Sequence, residues 1–305
     1  MVNWTGFASA MLMGLGLSFC TEQPLDEAEI AQIYGTPLPP PDRGLAVYHL
    51  GHSLVGRDIP AMLAQLAGDG HSYHSQLGSF AELRGHWEPD IEVRDFDRAN
   101  DHPLHRPARE AVASGDYDAL ILTERIDIEV SLRERDTVRY FGLWAEAARA
   151  ARPGTRVYLY EIWHSRDNEA RWLKRLEQDP ARYWEPGLMD AVMAADPERR
   201  PVYVIPGGQV FAALARRLEQ GPVGRLSTLD PFFRDRIHLT DHGHYLIALT
   251  HYAVLYGHTP VGLPHRLQRA DGSPAEALDE DTAAALQALV WEVVIGNPRT
   301  GVAGP

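Results

Sequence analysis

The sequence predicts an α/β protein, a three-layer sandwich with a central, mostly parallel sheet flanked by helices. Two observations predict it. Short runs such as Leu45–Leu50 (LAVYHL), Tyr117–Thr123 (YDALILT), Arg156–Ile162 (RVYLYEI) and Val202–Ile205 (VYVI) are apolar on both faces, as strands of a doubly covered sheet are. Between them, apolar residues recur with helical spacing, and strands alternating with helices make a parallel sheet. The chain of 305 residues, 45% hydrophobic, is long enough for a sizeable core, and it carries no internal repeat or low-complexity tract.

In order, Asp26–Tyr34 predicts a short helix, followed by a stiff proline linker over Thr36–Asp42 (TPLPPPD). The strand from Leu45 stops at Gly51. Ile59, Met62, Leu63 and Leu66 then mark an amphipathic helix, with Pro60 in its first turn and Gly68 at its end. His71–Leu77 predicts a second strand ending at Gly78, and the polar stretch Arg84–Arg109 reads as irregular structure over the strand ends. Val138, Phe141, Trp144, Ala145 and Ala148 give the next helix, closed by Pro153–Gly154. Asp167–Leu188, with Trp172, Tyr183 and Trp184, reads as a helical insertion or lid, its aromatics more in keeping with packing than with sugar stacking, and Met189–Ala195 continues it as a helix. Helices over Val210–Leu218, Tyr245–Tyr256 and Leu286–Val293 complete the pattern. The expected organisation is an arm over residues 1–43, one domain over 44–296 and a tail over 297–305.

Charge and cysteine content exclude several functions. A net charge of −13 and a pI near 5.5 leave no basic footprint for nucleic acid or an anionic membrane surface. One cysteine, Cys20, forbids an intramolecular disulfide framework and a Cys-rich zinc site. Phe7–Cys20 (FASAMLMGLGLSFC) has the character of a signal-peptide core, too short to span a bilayer, and export to the periplasm or medium is expected; a chain that keeps this stretch would stay cytoplasmic.

The chemistry converges on one rim. In an open parallel sheet, ligands bind beyond the carboxyl ends of the strands, and Ser53, Gly78, Glu124 and Trp163–His164 all closely follow strands. Ser53 lies between a strand end and a helix start, where its hydroxyl is open and near unpaired backbone N–H groups, a suitable place for a nucleophile; otherwise it is a loop serine capping the next helix. Asp235 and His238 form a DxxH pair within one turn, so the carboxylate can fix the imidazole tautomer and leave the other nitrogen as a base for a serine. His238, His242 and His244, with Asp235 or Asp241, are the competing metal set, but the turn before Gly243 breaks its helical spacing. Trp163–His164 is either a substrate wall or a core aromatic beside a satisfied histidine, and Glu161 suits the sheet edge more than the chemistry.

With these residues in place, the chain resembles the SGNH/GDSL hydrolase superfamily over roughly residues 44–257. Gly51-His52-Ser53-Leu54 matches the nucleophile block, with His52 where the family carries aspartate. Gly78 matches the oxyanion glycine, and Asp235, His238, Gly243 and the helix from His244 match the final block. The third block, usually GxND, reads Leu122-Thr123-Glu124-Arg125, without its asparagine; Asn100 precedes that strand and does not take the role. The resemblance implies a flavodoxin-like SGNH fold and a serine esterase that works without a cofactor. Its substrate would be a small acyl ester, such as acetyl on a carbohydrate, and an O-acyltransferase or a non-catalytic glycan-binding protein are its alternatives. It further implies Ser53 as nucleophile, His238 as base, Asp235 as its orienting carboxylate, and the N–H groups of Ser53 and Gly78 as oxyanion donors. Glu124 would orient the Ser53 loop, and Arg125 or a backbone N–H would complete the anion site.

Overall fold

The computed structural model describes residues 24–304. Cys20 and the apolar stretch Phe7–Cys20 lie outside the described residues. Five strands, β1 (Ala46–His52), β2 (Ser72–Gly78), β3 (Ala119–Leu122), β4 (Arg156–Glu161) and β5 (Val202–Pro206), form one sheet in the order β2-β1-β3-β4-β5, with every neighbouring pair parallel. This is the flavodoxin-like order, and its direction of winding reverses between β1 and β3. The strand interiors are wholly buried at Val47, Tyr48, Leu50, Leu122, Val157, Leu159 and Val202, which is why they read as continuous apolar runs.

Helices cover both faces. On one, α2 (Asp58–Ala67) packs on α11 (Asp241–Tyr256), which packs on α12 (Glu280–Gly296), which meets α10 (Gly207–Gln220). On the other, α7 (Thr137–Ala151) packs against β3 and against α5 (Ala108–Ala113) and α9 (Ala191–Ala195). The short α1 (Glu27–Tyr34) starts with a capping box between Asp26 and Glu29 and ties to the sheet where the Tyr34 hydroxyl donates to the Val202 carbonyl. Contact between α2 and α11 joins the segment after β1 to the segment following residue 238, so distant parts of the chain meet over the sheet. No described helix is long and apolar enough to cross a membrane.

The stretch 84–109 departs from expectation. Instead of irregular structure it holds α3 (Leu83–Trp87), α4 (Phe96–Asn100) and the start of α5. The first two are five residues long, too short for an apolar stripe to show, and tertiary bonds hold them. Asn100 accepts from the Leu77 N–H and donates to the Leu77 carbonyl, binding α4 to the outer strand β2. The insertion after β4 is helical, as α8 (Glu169–Asp179) and a wider π-helical segment, Pro180–Asp190; Trp172 and Trp184 are both buried in packing.

Candidate active site

Ser53 follows β1 directly at the point where the sheet reverses, and its side chain is exposed. It does not cap α2, which begins at Asp58 after Arg57. The turn folds back on His52: the Leu54 N–H donates to His52 Nδ1, and those of Val55 and Gly56 donate to the His52 carbonyl. The Ser53 N–H lies at the rim, one residue past the last β1–β2 pair, His52 with Gly78.

His52 stands where the resemblance implies aspartate, and its contacts explain how it fits. Nδ1 accepts from Leu54, so Nε2 carries the proton and donates to the Glu124 carbonyl at 3.3 Å. The imidazole thus ties the Ser53 turn to the end of β3. A second histidine supports the same strand: His86 Nε2 donates to the Gly51 carbonyl at 2.8 Å, while its Nδ1 accepts from Gln76 Nε2. Both rings serve as neutral donor–acceptor bridges, and burial holds each down at about 4. His86 and Gln76 carried no recognisable sequence signal.

Asp235 and His238 lie in a tight loop after Phe232. Phe233 and Leu239 form an isolated antiparallel bridge around it, and the Arg234 N–H donates to the His238 carbonyl. Asp235 Oδ1 accepts the N–H groups of Ile237 and His238, both at 2.8 Å, which fixes the carboxylate on the turn it begins. Its Oδ2 accepts from His238 Nδ1 at 2.8 Å. Partial burial works against ionisation of Asp235, but those two N–H groups and the imidazole outweigh it and hold the carboxyl at about 2. With the proton on His238 Nδ1 and donated to Asp235, Nε2 is the acceptor, and Ser53 Oγ lies 3.1 Å from it, within hydrogen-bond reach. The loop is anchored from beneath. Trp163 Nε1 donates to the Ile237 carbonyl at 2.7 Å, the Arg166 N–H donates to the Arg236 carbonyl, and Arg236 pairs with Asp167.

The other sequence candidates fall as follows. Gly78 is aligned with His52, one residue before Ser53 on the adjacent strand, and a Cβ there would stand 2.1 Å from Val93 Cγ1, so only glycine fits. Glu124 is buried. Its carboxylate accepts from the Arg125 N–H, and burial, opposed by that N–H and the Thr137 hydroxyl, pushes its pKa up to about 7. It reaches the Ser53 turn through its carbonyl, not its carboxylate. Trp163 is wholly buried and holds the Asp235–His238 loop; of its two readings, a substrate wall is the one the structure does not support, because no part of the ring reaches the rim. His164 Nε2 donates to Asp179 Oδ2 at 2.8 Å, in a cluster where Arg175 also pairs with Asp179 and Asp127. Glu161 receives the N–H groups of Gly208 and Gln209 at the start of α10. The members of the competing metal set point to separate partners: His244 faces Asp58, Asp241 is held by Arg269, and His238 is engaged as described.

Buried histidines also set a pH dependence. His49, His52, His86 and His251 are all buried, and burial depresses each; His52, His86 and His251 fall to about 4, and His49 lies well below its ordinary value. Below pH ~6.5 the unfolded chain binds protons at these positions that the folded chain refuses, so stability falls on acidification. Burial raises Glu124 to about 7 and Glu161 to about 8, which acts in the opposite direction above pH ~4.5. The depressed histidines outnumber the two raised carboxyls, so the net effect is lower stability at pH 5 than at pH 6.5. Urea unfolding at the two pH values checks this: the midpoint should be lower at pH 5, and an equal or higher midpoint contradicts it.

Fold and geometry together define the class, a flavodoxin-like α/β architecture carrying a hydrogen-bonded Ser53–His238–Asp235 chain at the rim between β1 and β3. No protein-family model matches the chain, and no curated protein matches it. Among solved structures it is similar to a DUF4886 family protein from Bacteroides uniformis ATCC 8492, with a TM-score of 0.52 at 16% identity over 83% of this chain and 95% of that one; the two share a fold. Two others superpose less well. A "putative GDSL-like lipase" from Parabacteroides merdae ATCC 43184 has a TM-score of 0.43 at 14% identity, over 70% of this chain and 96% of that one. A carbohydrate esterase family 3 protein from Talaromyces cellulolyticus has a TM-score of 0.36 at 16% identity, over 69% and 96%.

Proposed function

We propose that the protein is a serine esterase that cleaves small acyl esters through an acyl-enzyme. The observation that carries this reading is the continuous chain from Ser53 Oγ through His238 to Asp235, open to solvent at the rim. Ser53 Oγ attacks the ester carbonyl carbon while His238 Nε2 takes its proton, and Asp235 steadies the imidazolium that forms. The carbonyl oxygen becomes an oxyanion, received at the rim by the Ser53 N–H; Gly78, which the family resemblance implies as the second donor, lies alongside. The C–O bond to the alcohol breaks as His238 returns the proton to the leaving oxygen. Water then enters, gives its proton to His238, and attacks the acyl carbon; collapse of this second intermediate releases the carboxylic acid and restores Ser53.

Acetyl on a carbohydrate is the substrate class that the family resemblance favours. A panel of short-chain aryl esters and acetylated sugars tests the reading on the wild type and His238→Ala. Hydrolysis by the wild type, lowered about 10⁴-fold or more in the variant, is expected. A wild type inactive on every ester, or a variant as active as the wild type, overturns it.

A further inference from the structure

Past the ends of β2 and β3, the two strands that flank β1, lies a cleft of about 390 Å³ that the esterase chemistry does not use. Its walls include Phe80, Arg94 and Arg125. Phe80 is 60% exposed, one of two large hydrophobic residues so exposed among the described residues, and its backbone sits in the left-handed region at φ +54°. An aromatic residue pays for both features, and such strain is retained where it serves a function. Arg94 and Arg125 place their guanidinium carbons 5.9 Å and 5.5 Å from the centre of the Phe80 ring. The nearby acids are engaged elsewhere: Arg98 and the Ser79 hydroxyl hold Asp95, and Arg135 holds Glu82. Glu92, also in the lining, is exposed and forms no salt bridge among the described residues, and neither do Arg94 and Arg125. In a chain of net charge −13, two guanidiniums without a carboxylate partner among the described residues, around one exposed aromatic ring, are a local exception.

We propose that this cleft selects esters whose alcohol half is anionic: a carboxylate bound by the Arg94 and Arg125 forks, next to an apolar ring face laid on Phe80, as in an O-acetylated uronic acid. The proposal rests on the esterase reading only for the word ester, so binding is measured apart from turnover. The Ser53→Ala protein is titrated with the O-acetylated methyl glycosides of glucuronic acid and of glucose, which differ only in the carboxylate. The acidic ester should bind about 10-fold tighter or more, an advantage that shrinks with added salt. Adding Arg94→Gln, an exposed position, should reduce that advantage, and Arg94→Gln with Arg125→Gln should abolish it; Phe80→Ala should weaken both ligands. Equal affinity for the two esters, no binding of either, or an advantage that survives the double arginine replacement overturns the proposal. Turnover by the wild type separates the two readings. Selective binding of the acidic ester without hydrolysis of either defeats the esterase and leaves the cleft's role standing. Hydrolysis of both at equal kcat/KM, with equal binding, defeats the cleft's role and leaves the esterase.

Discussion

Ser53→Ala is expected to lower ester hydrolysis by about 10⁴-fold or more in kcat, with little change in KM. The hydroxyl lies 3.1 Å from an oriented imidazole, and alanine leaves no atom to form the acyl bond. The side chain is exposed and caps no helix, so stability should stay within about 0.5 kcal/mol of the wild type. That separation of activity from stability identifies a chemical role. Adding His238→Ala to Ser53→Ala should cost almost nothing more, because the two act as one unit. Steady-state kinetics on an aryl acetate and a thermal melt measure both quantities. A variant that retains a tenth of the wild-type rate contradicts the assignment.

Asp235→Asn should be nearly as damaging, about 10⁴-fold in kcat, although it changes one atom. Asp235 Oδ1 must go on accepting the N–H groups of Ile237 and His238 for the loop to keep its shape. With the amide oxygen held there, the amide NH₂ faces His238 Nδ1, where the carboxylate oxygen was. The ring then turns to the tautomer with its proton on Nε2, which donates toward Ser53 instead of accepting from it. The fold and the loop persist while the base is lost. The comparison to make is kcat for Asp235→Asn against Asp235→Ala, which removes the turn's acceptor as well; an Asn variant within tenfold of the wild type would show that the carboxylate does not orient the base.

Most of the fold was legible in the sequence because a doubly covered parallel strand shows its burial in every residue. The ends were less so: Tyr117–Thr123 contains β3, yet only Ala119–Leu122 pairs. The Asp235–His238 pair was legible because its partners lie three residues apart on one turn. What binds that turn in place was not. The Trp163 indole and the Ile237 carbonyl are 74 residues apart, and the His86 ring and the Gly51 carbonyl 35, with no local pattern to announce either bond. The role of His52 was hidden for a related reason: a histidine in place of the expected aspartate has meaning only once the Glu124 carbonyl is seen opposite it. Phe80 carried no sequence signal, because a single aromatic residue outside any helical or strand pattern says nothing of its surroundings, and only its backbone conformation and exposure mark it.

The most direct test of the account is covalent capture. Wild-type protein treated with a serine-directed alkyl phosphonate and then digested should carry the modification on the peptide containing Ser53, at one equivalent per chain, and His238→Ala should label far more slowly. Unmodified Ser53, or equal labelling of serines elsewhere, would mean that this hydroxyl is not activated and that the rim serves binding without acyl transfer.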